Sequence, residues 1–521
     1  MMSSVSPYGR LACCAVCAGL FLLAAAPCAM ASKVDLSDPP QGVFIDEWMV
    51  VEMMGGKVGY SHAEIARTGN EINTSLLMSM SLARVGAPVT ITQLQSTRET
   101  LDGVPLEFTT QMDASMQQLR KQGVIREGKV KITSKQFGAV TVNEYDFPKG
   151  ALMTWGTLRK QEEMGYKPGT KYSLDIYEAS LSATAGLRMD IEIQDKETIE
   201  IGGRSVEAIR TVQNMSVPNT PMEMSTIAWV DEQGDVLRTS LNMMGMAMTI
   251  TRATKEQALA DFSPPEFFTP TTIKVRSPID RRAARQVDYL LRLRDRNVQM
   301  PLLPPTGMQK PTVVPDDAVR LTVSRQDHER LRKTPSRTHG KQYREYLTPN
   351  PIINSDDPAV QKMAQEARGQ AKLPYETADN LRKHVTDVIK DKNLNVGFAS
   401  ASEVCRNREG DCSEHAVLLA ALGRACDLPS RVVTGMVYVP VFGGDTDIFG
   451  FHMWTQFLIG DTWVDFDAAQ GESDCNPTHI AFSVASLHDG GLGQVVFGLV
   501  NVIGNLELTV ERIDPAPAKD P

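Results

Sequence analysis

Hydrophobic and polar residues alternate along the first half of the chain in the manner of β-strands. Between about Val43 and Arg252, apolar and β-branched residues recur at every second position, and glycine pairs such as Gly55-Gly56 and Gly202-Gly203 mark turns between the runs. One helix is expected to interrupt the strands near Ala151 to Glu163. Because few long helices intervene, this region predicts a mainly antiparallel sheet.

The second half of the chain has a different pattern, in which helices precede strands. Two proline-rich segments, Phe262 to Pro270 and Met300 to Pro311, follow the alternating region. Beyond them, Asp356 or Asp357 is a candidate cap for a first helix, and apolar residues recur at helical spacing in Tyr375 to Lys390. A cysteine-bearing helix and three strand-like runs are predicted after these helices.

These changes of pattern predict an α+β protein in which a mainly antiparallel β region precedes a C-terminal α+β domain. The expected segments are a signal peptide at 1–31, a β-rich N-terminal domain at 32–262, a small β-rich module or linker at 263–346, the C-terminal domain at 347–513 and a tail at 514–521. The sequence of this tail, "DPAPAKDP", is typical of a frayed terminus.

The first 31 residues have the pattern of a secretory signal. Arg10 precedes an apolar run from Leu11 to Ala26, and the small residues Ala29 and Ala31 frame a cleavage site before Ser32. An uncleaved anchor is the alternative, but the run is short for a membrane span. We therefore expect a periplasmic or secreted protein without a stable membrane span after cleavage.

Composition and charge narrow the classes of function. The chain has 521 residues and a formal net charge of −9, and recognition of nucleic acid requires a basic face, so no nucleic-acid partner is expected. Four of the eight cysteines would leave with the signal. The remaining four are Cys405, Cys412, Cys426 and Cys475. They could form one disulfide bond, and the sequence does not determine which two cysteines would pair.

One of these cysteines stands in a setting that suits catalysis. In the stretch "GDCSEHAVLLAAL", Asp411 is placed to cap a helix whose first turn contains Cys412. The positive end of the helix dipole favours the thiolate, which is the nucleophilic form of cysteine. A thiolate of this kind also needs a histidine base, and the histidine needs a polar residue that orients it.

A histidine and an aspartate with suitable spacing follow. His452 begins one predicted strand and Asp467 ends the next, with the turn signal Gly460-Asp461 between them. Residues that face each other across a hairpin lie about 5 Å apart on one face. The two side chains are therefore expected to meet, and the N-terminus of the cysteine helix would have to pack against the same hairpin.

The three segments that contain Cys412, His452 and Asp467 resemble the transglutaminase-like superfamily, whose core is a papain-like α+β fold. The resemblance covers roughly Asp357 to Gly471, and its most specific parts are "GDCSEHAVLLAALGRACDLPSRVVTGMVY", "FHMWTQF" and "WVDFDAA". It implies that Cys412 is the nucleophile, His452 the base and Asp467 the residue that orients the histidine. The family often has Asp-Pro-Thr at the third segment and Glu four residues after the histidine. This chain has Asp467-Ala468-Ala469 and Gln456 at these places, which leaves substrate preference open.

The resemblance implies acyl transfer. Cys412 would attack an amide or ester carbonyl and form a thioester, which water or an amine would then resolve. The expected partner is a protein or peptide substrate, no cofactor or metal is expected, and the oligomeric state is open. A non-catalytic periplasmic binding or assembly protein that keeps the fold is the alternative, but the complete Cys-His-Asp set favours an enzyme.

Other interpretations of the same residues stay open. Asp465 lies on the same strand face as the triad aspartate and could replace it. Cys405, Cys412 and His415 could hold zinc, although their spacing is not that of a familiar zinc motif. The methionine-dense stretch from Leu241 to Ile250 could bind copper(I), although methionine more often fills apolar gaps.

Overall fold

The computed structural model describes most of the chain after the predicted signal peptide. It covers residues 34–515 except 54, 85–86, 115–116, 137–138, 217–222, 244–245, 267–270, 277, 297–299, 316, 338, 391–398, 443 and 489–501. The predicted signal peptide and most of the predicted tail therefore lie outside the described residues. The described chain forms two compact units, and the boundary between them falls between Pro265 and Glu266.

The described part of the first unit contains fourteen strands and two helices. The strands are β1 (Gly42–Met53), β2 (Gly56–Thr68), β3 (Glu71–Arg84), β4 (Ala87–Thr100), β5 (Pro105–Ala114), β6 (Gln117–Arg126), β7 (Lys129–Gln136), β8 (Ala139–Asp146), β9 (Lys171–Ile176), β10 (Leu187–Ile201), β11 (Arg204–Ser216), β12 (Glu223–Val230), β13 (Val236–Met243) and β14 (Met246–Ala253). The helices are α1 (Thr154–Met164) and α2 (Lys255–Leu259).

All fourteen strands belong to one sheet, in the order β8-β7-β6-β5-β4-β3-β2-β1-β14-β13-β12-β11-β10-β9. The chain runs outward from β1 to the edge strand β8, passes through α1 to the other edge strand β9, and returns inward until β14 pairs with β1. The strand pairs whose register is described are antiparallel, for example Val50 with Thr251. The prediction of a large, mainly antiparallel N-terminal β region is thus confirmed.

A buried carboxylate from the sheet stabilises the start of α1. Glu99 in β4 accepts hydrogen bonds from the backbone N–H groups of Trp155 and Gly156, at 2.7 and 2.9 Å. Thr97 donates a further hydrogen bond to Glu99, at 2.8 Å. The N-cap residue Met153 supplies no side-chain hydrogen bond, so Glu99 satisfies N–H groups that would otherwise lack partners.

Within its described residues, the second unit contains nine strands, five α-helices and a 3₁₀ helix at Lys341–Tyr346. The strands are β15 (Ile273–Lys274), β16 (Ala284–Leu293), β17 (Gln309–Val314), β18 (Ala318–Ser324), β19 (Ser430–Phe442), β20 (Asp445–Ile459), β21 (Thr462–Phe466), β22 (His479–Ala485) and β23 (Leu506–Pro515). The helices are α3 (His328–Arg332), α4 (Pro358–Arg368), α5 (Pro374–Val388), α6 (Ala401–Asn407) and α7 (Cys412–Ala425).

Two antiparallel sheets organise this unit. One has the order β15-β20-β19-β22, with β21 also paired to β20, and the other has the order β17-β18-β16-β23. Strands from the segment 263–346 therefore share sheets with strands much later in the chain. The alternating pattern predicts such strands, but it does not predict their partners, because strand pairing between distant segments leaves no local signal.

Helix α7 is the central element of the second unit. Every residue from Cys412 to Arg424 is buried, which is the pattern of a helix enclosed on all sides. It packs against β19, β20 and the helices α4, α5 and α6. Among the described residues, no helix is both long and apolar enough to span a membrane.

Candidate active site

Cys412 is the first residue of α7 and lies between Asp411 and Glu414, which form a complete capping box. Asp411 accepts hydrogen bonds from the backbone N–H and the hydroxyl of Ser413, at 3.0 and 2.8 Å. Glu414 in turn accepts from the backbone N–H of Asp411, at 2.9 Å. The predicted cap is confirmed, and it places the Cys412 side chain in the first turn of the helix, at the positive end of its dipole.

The body of α7 lies along β20. The Thr455 hydroxyl donates to the carbonyl oxygen of Ala416, one turn after Cys412, at 2.9 Å. Further along, a Cβ on Gly423 would come within 2.1 Å of Cε1 of Phe457, so a glycine is needed for this close approach. Because the helix and strand advance together, the N-terminal end of α7 points toward the part of β20 that precedes Thr455.

His452 lies in that part of β20, and it is paired with Asp467. His452 Nε2 lies 2.7 Å from Asp467 Oδ2, and the two side chains are 2% and 0% exposed. The hairpin predicted at Gly460-Asp461 is present, with Thr455 opposite Phe466. Asp467 follows the end of β21, so it meets His452 diagonally across the hairpin instead of directly opposite it.

The Asp467 carboxylate is held in its charged form. The backbone N–H of Gln470 donates to Oδ1 at 3.0 Å, and His479 Nε2 lies 3.1 Å from Oδ2. Burial alone would raise the pKa of Asp467, but the adjacent His452 and the hydrogen bonds from both imidazoles hold it well below its usual range. A charged Asp467 fixes the orientation of the His452 ring.

Asp465 has different partners. Its Oδ1 accepts hydrogen bonds from Trp454 Nε1 at 2.7 Å and from Gln456 Nε2 at 2.8 Å. Arg431 Nε donates to Gln456 Oε1 at 2.8 Å, so Gln456 links an arginine to this carboxylate. Burial raises the pKa of Asp465. In this arrangement Asp467, and not Asp465, contacts the histidine.

Glu414 carries a proton more readily than an ordinary glutamate. It is fully buried, and burial together with the charge of Asp411 raises its pKa to about 8. Hydrogen bonds from the backbone N–H groups of Asp411 and Ala399 act in the opposite direction but are outweighed. Near neutral pH, therefore, the first turn of α7 carries less negative charge beside Cys412 than its two acidic residues suggest.

Replacing Asp411 by asparagine is expected to flatten the dependence of stability on pH. A folded-state pKa above the unfolded value means that the folded chain binds more protons from about pH 4.5 to about pH 8, so stability falls as pH rises through that range. Asparagine keeps the capping oxygen and removes the charge of Asp411, which after burial is the second cause of the raised pKa of Glu414. Between about pH 5 and pH 8, the free energy of unfolding should fall by on the order of 2 kcal/mol more in the wild-type protein than in the variant.

The second unit contains the buried Cys405, Cys426 and Cys475, so urea-induced exposure of these thiols, mapped by peptide mass after alkylation, reports its unfolding. The Ser413→Ala variant, which keeps both carboxylates, is the control and should follow the wild-type pH dependence. Equal slopes for Asp411→Asn and wild type would contradict the coupling.

None of the four cysteines among the described residues forms a disulfide bond. Cys405 Sγ lies 3.8 Å from Met363 Sδ, and Cys426 Sγ lies 3.7 Å from the carbonyl oxygen of Ala364. Burial raises the pKa of Cys405, and raises that of Cys426 to about 11. These thiols pack in the interior in protonated form.

The three residues of the zinc hypothesis do not form a metal-binding group among the described residues. The potential ligand atoms of Cys405, Cys412 and His415 are not clustered, and His415 Nδ1 lies 2.5 Å from the carbonyl oxygen of Asp411. In the methionine-dense stretch, Met248 is buried in the sheet of the first unit. The side chains of 242–246 lie outside the described residues.

Glu472, Cys475 and His479 each place one potential ligand atom within 4.8 Å of the others. Hydrogen bonds already engage two of them. Glu472 Oε2 accepts from Asn476 Nδ2 at 2.8 Å, and both ring nitrogens of His479 face oxygen atoms. A ring nitrogen that donates a hydrogen bond cannot also bind a metal, so these residues are not assigned as a metal site.

His479 is the residue of the site that sequence reasoning missed. It lies on β22, which follows the hairpin, and it reaches Asp467 because β22 pairs with β19 on the side away from β20. The spacing from Asp467 to His479 contains a loop and matches no local pattern. The available signal was a histidine at the start of "HIAFSVA", a short run rich in apolar residues that was not predicted as a strand and that forms β22.

The comparison with known families agrees with the resemblance in sequence. Residues 361–468 match the family described as the transglutaminase-like superfamily, whose domains are typically cysteine enzymes. The match includes Cys412, His452 and Asp467. No curated protein sequence matches the chain significantly.

Three solved structures are similar to parts of the chain. A β-barrel-like protein of unknown function from Brucella abortus has 10% identity and a TM-score of 0.32, with 41% of this chain and 96% of that chain covered. A candidate cysteine protease from Cytophaga hutchinsonii has 17% identity and a TM-score of 0.29, with 48% and 90% covered. The periplasmic domain of TgpA from Pseudomonas aeruginosa has 16% identity and a TM-score of 0.25, with 44% and 83% covered. At TM-scores below 0.5, these similarities carry no functional argument.

Proposed function

We propose that this protein, whose residues 361–468 form a transglutaminase-like domain, is an exported cysteine enzyme that transfers or hydrolyses the acyl groups of protein or peptide amides. The observation that supports the proposal is the buried pair of His452 and Asp467 on the strand along which α7 packs, with Cys412 as the first residue of that helix. Export is inferred from the signal pattern of the first 31 residues.

The proposed reaction begins with a proton transfer from Cys412 to His452. The contact with Asp467 makes Nε2 the protonated nitrogen of neutral His452. Nδ1 has no hydrogen-bond partner among the described residues, so its lone pair is available for the thiol proton. The charged Asp467 then stabilises the imidazolium that forms.

Acylation follows in the proposed mechanism. The Cys412 thiolate attacks the carbonyl carbon of the substrate amide, and the negative charge moves to the carbonyl oxygen. The backbone N–H of Cys412, at the start of α7, is suited to stabilise this oxyanion. The C–N bond then breaks, the leaving amine takes the proton from His452, and the acyl group remains on sulfur as a thioester.

Deacylation regenerates the enzyme. Water or a primary amine attacks the thioester carbonyl and gives its proton to His452. The carbon–sulfur bond breaks, the product acid or new amide leaves, and Cys412 is restored. Hydrolysis and transfer use the same residues, so they differ only in which nucleophile reaches the thioester first.

The thioester can be tested directly with an activated ester. The full chain is incubated with p-nitrophenyl acetate and its peptides are mapped by mass, before and after treatment with hydroxylamine. We expect one hydroxylamine-labile acetyl group on Cys412, formed at least about 100-fold more slowly in His452→Gln. Cys426 in the same map is the internal control. Acetylation that spares Cys412, or that is equally fast in His452→Gln, would refute the proposed function.

A further inference from the structure

A second histidine reaches the carboxylate that contacts His452. His479 is the first residue of β22, and its Nε2 lies 3.1 Å from Asp467 Oδ2, the same oxygen that lies 2.7 Å from His452 Nε2. The side chains of His479 and Asp467 are 1% and 0% exposed. Two imidazoles therefore share one oxygen of a buried carboxylate.

Both ring nitrogens of His479 face oxygen acceptors. Nε2 faces Asp467, and Nδ1 lies 3.3 Å from the carbonyl oxygen of Asn476. A neutral imidazole carries one N–H group, whereas an imidazolium carries two and can donate to both oxygens. The geometry at His479 therefore fits the protonated ring, in contrast to His452, whose Nδ1 faces no hydrogen-bond partner among the described residues.

The groups around His479 also favour its protonation. They are Asp465 from β21, Asp467 and Glu472 from the turn that follows it, the Cys475 thiol, and His452 and Trp454 from β20. Burial alone would lower the pKa of His479, but the hydrogen bond with Asp467 and the negative charges of the three carboxylates raise it overall.

We propose that His479 is a positioning residue, an imidazolium that shares Asp467 with His452 and limits how strongly Asp467 favours the protonated form of His452. This inference rests on the proposed function, in which His452 is the base. A base that takes the thiol proton must later give it to the leaving amine. A full, unshared carboxylate charge would hold that proton, whereas a carboxylate partly neutralised by His479 orients the ring and lets the proton move.

The size of the effect follows from the separation of the two rings. Their centroids are 6.4 Å apart. Two positive charges at that distance oppose each other enough to move a titration by about one pH unit or somewhat more. Removing the charge of His479 should therefore raise the pH at which His452 loses its proton.

Two substitutions separate charge from packing. His479→Gln keeps an N–H donor for Asp467 and removes the charge, while His479→Phe keeps a ring against Trp454, whose centroid lies 5.2 Å away, and removes both donor and charge. The full chain carries eight histidines, so ¹³C-labelled histidine signals can be followed through a pH titration, and His452→Gln identifies the signal of His452. The reference chain and each variant also carry Cys412→Ala, so that no thiolate at residue 412 affects the titration.

We expect the titration midpoint of His452 to rise by about one pH unit in both variants. A midpoint of His452 that is unchanged or lower in His479→Gln would overturn the proposal. A rise in His479→Phe alone would also overturn it, because the hydrogen bond that glutamine keeps would then hold the midpoint in place without any charge on residue 479. In the unsubstituted chain, ¹⁵N signals should show two protonated nitrogens on His479 at neutral pH. A single protonated nitrogen would overturn the proposal even if neither variant folds.

The outcome is distinguishable from failure of the proposed function. If Cys412 is not a nucleophile, it will resist acylation in the unsubstituted chain, while the midpoint of His452 still moves in the His479 variants. If only the role of His479 is wrong, Cys412 will be acylated normally and the midpoint will stay in place.

Discussion

Replacing Cys412 by alanine is expected to abolish acyl transfer and to leave the fold intact. The substitution removes only the sulfur atom from a residue that is 5% exposed, and alanine is favourable in the first turn of a helix. Without the thiolate no thioester can form, so kcat/KM for an activated ester should fall at least about 1,000-fold. Rates of p-nitrophenyl acetate turnover, together with thermal unfolding of the same samples, measure both effects.

The matched control is Cys426→Ala. This cysteine lies at the other end of α7 and is also buried, but its Sγ packs against the backbone of Ala364. Its removal should leave turnover within about two-fold of wild type, because no catalytic role is assigned to it. Full turnover by Cys412→Ala would mean that another nucleophile performs the reaction, and loss in both variants would point to the helix instead of the thiol.

Replacing Arg424 by methionine is expected to cause the largest loss of stability in the second unit. The buried Arg424 guanidinium donates to the carbonyl oxygens of Thr348, Ser430 and Ser486, at 2.7, 3.1 and 2.8 Å. Methionine keeps most of the apolar stem and leaves these three oxygens without that donor. At about 1 kcal/mol for each lost partner, the free energy of unfolding should fall by about 3 kcal/mol.

Arg406 is a suitable control for this loss. It lies in the last turn of α6, its side chain is 56% exposed, and it pairs with Asp357 at the surface. Arg406→Met should cost less than about 1 kcal/mol. Urea-induced exposure of Cys405 and Cys475 reports the second unit in each variant. Similar losses for Arg424→Met and Arg406→Met would show that the buried hydrogen bonds contribute little.

Local features of the site were predictable because local sequence determines them. An aspartate before a helix and a glutamate three residues later form a capping box, and Asp411 and Glu414 do so here. A two-residue turn predicts a hairpin, and Gly460-Asp461 joins β20 to β21. Such signals depend on residues a few positions apart, so one sequence is enough to find them.

The partners of distant segments could not be predicted in the same way. His479 reaches Asp467 only because β22 pairs with β19, and Arg424 binds carbonyl groups from three separated segments. In the first unit, the pairing of β14 with β1 joins strands from opposite ends of the sheet's sequence. These contacts depend on which elements pack together, and the spacing of residues within one element carries no record of that.

Alkylation of the full chain with iodoacetamide at about pH 6 tests the central claim, that His452 activates Cys412, most directly. Mass mapping gives the rate at each cysteine, and His452→Ala is the control. Because burial raises the pKa of Cys405, Cys426 and Cys475, only an activated thiol should react quickly. We expect Cys412 to react at least about ten-fold faster than these three, and to lose the advantage in His452→Ala. Labelling of Cys412 no faster than the others, or unaffected by His452→Ala, would contradict the claim.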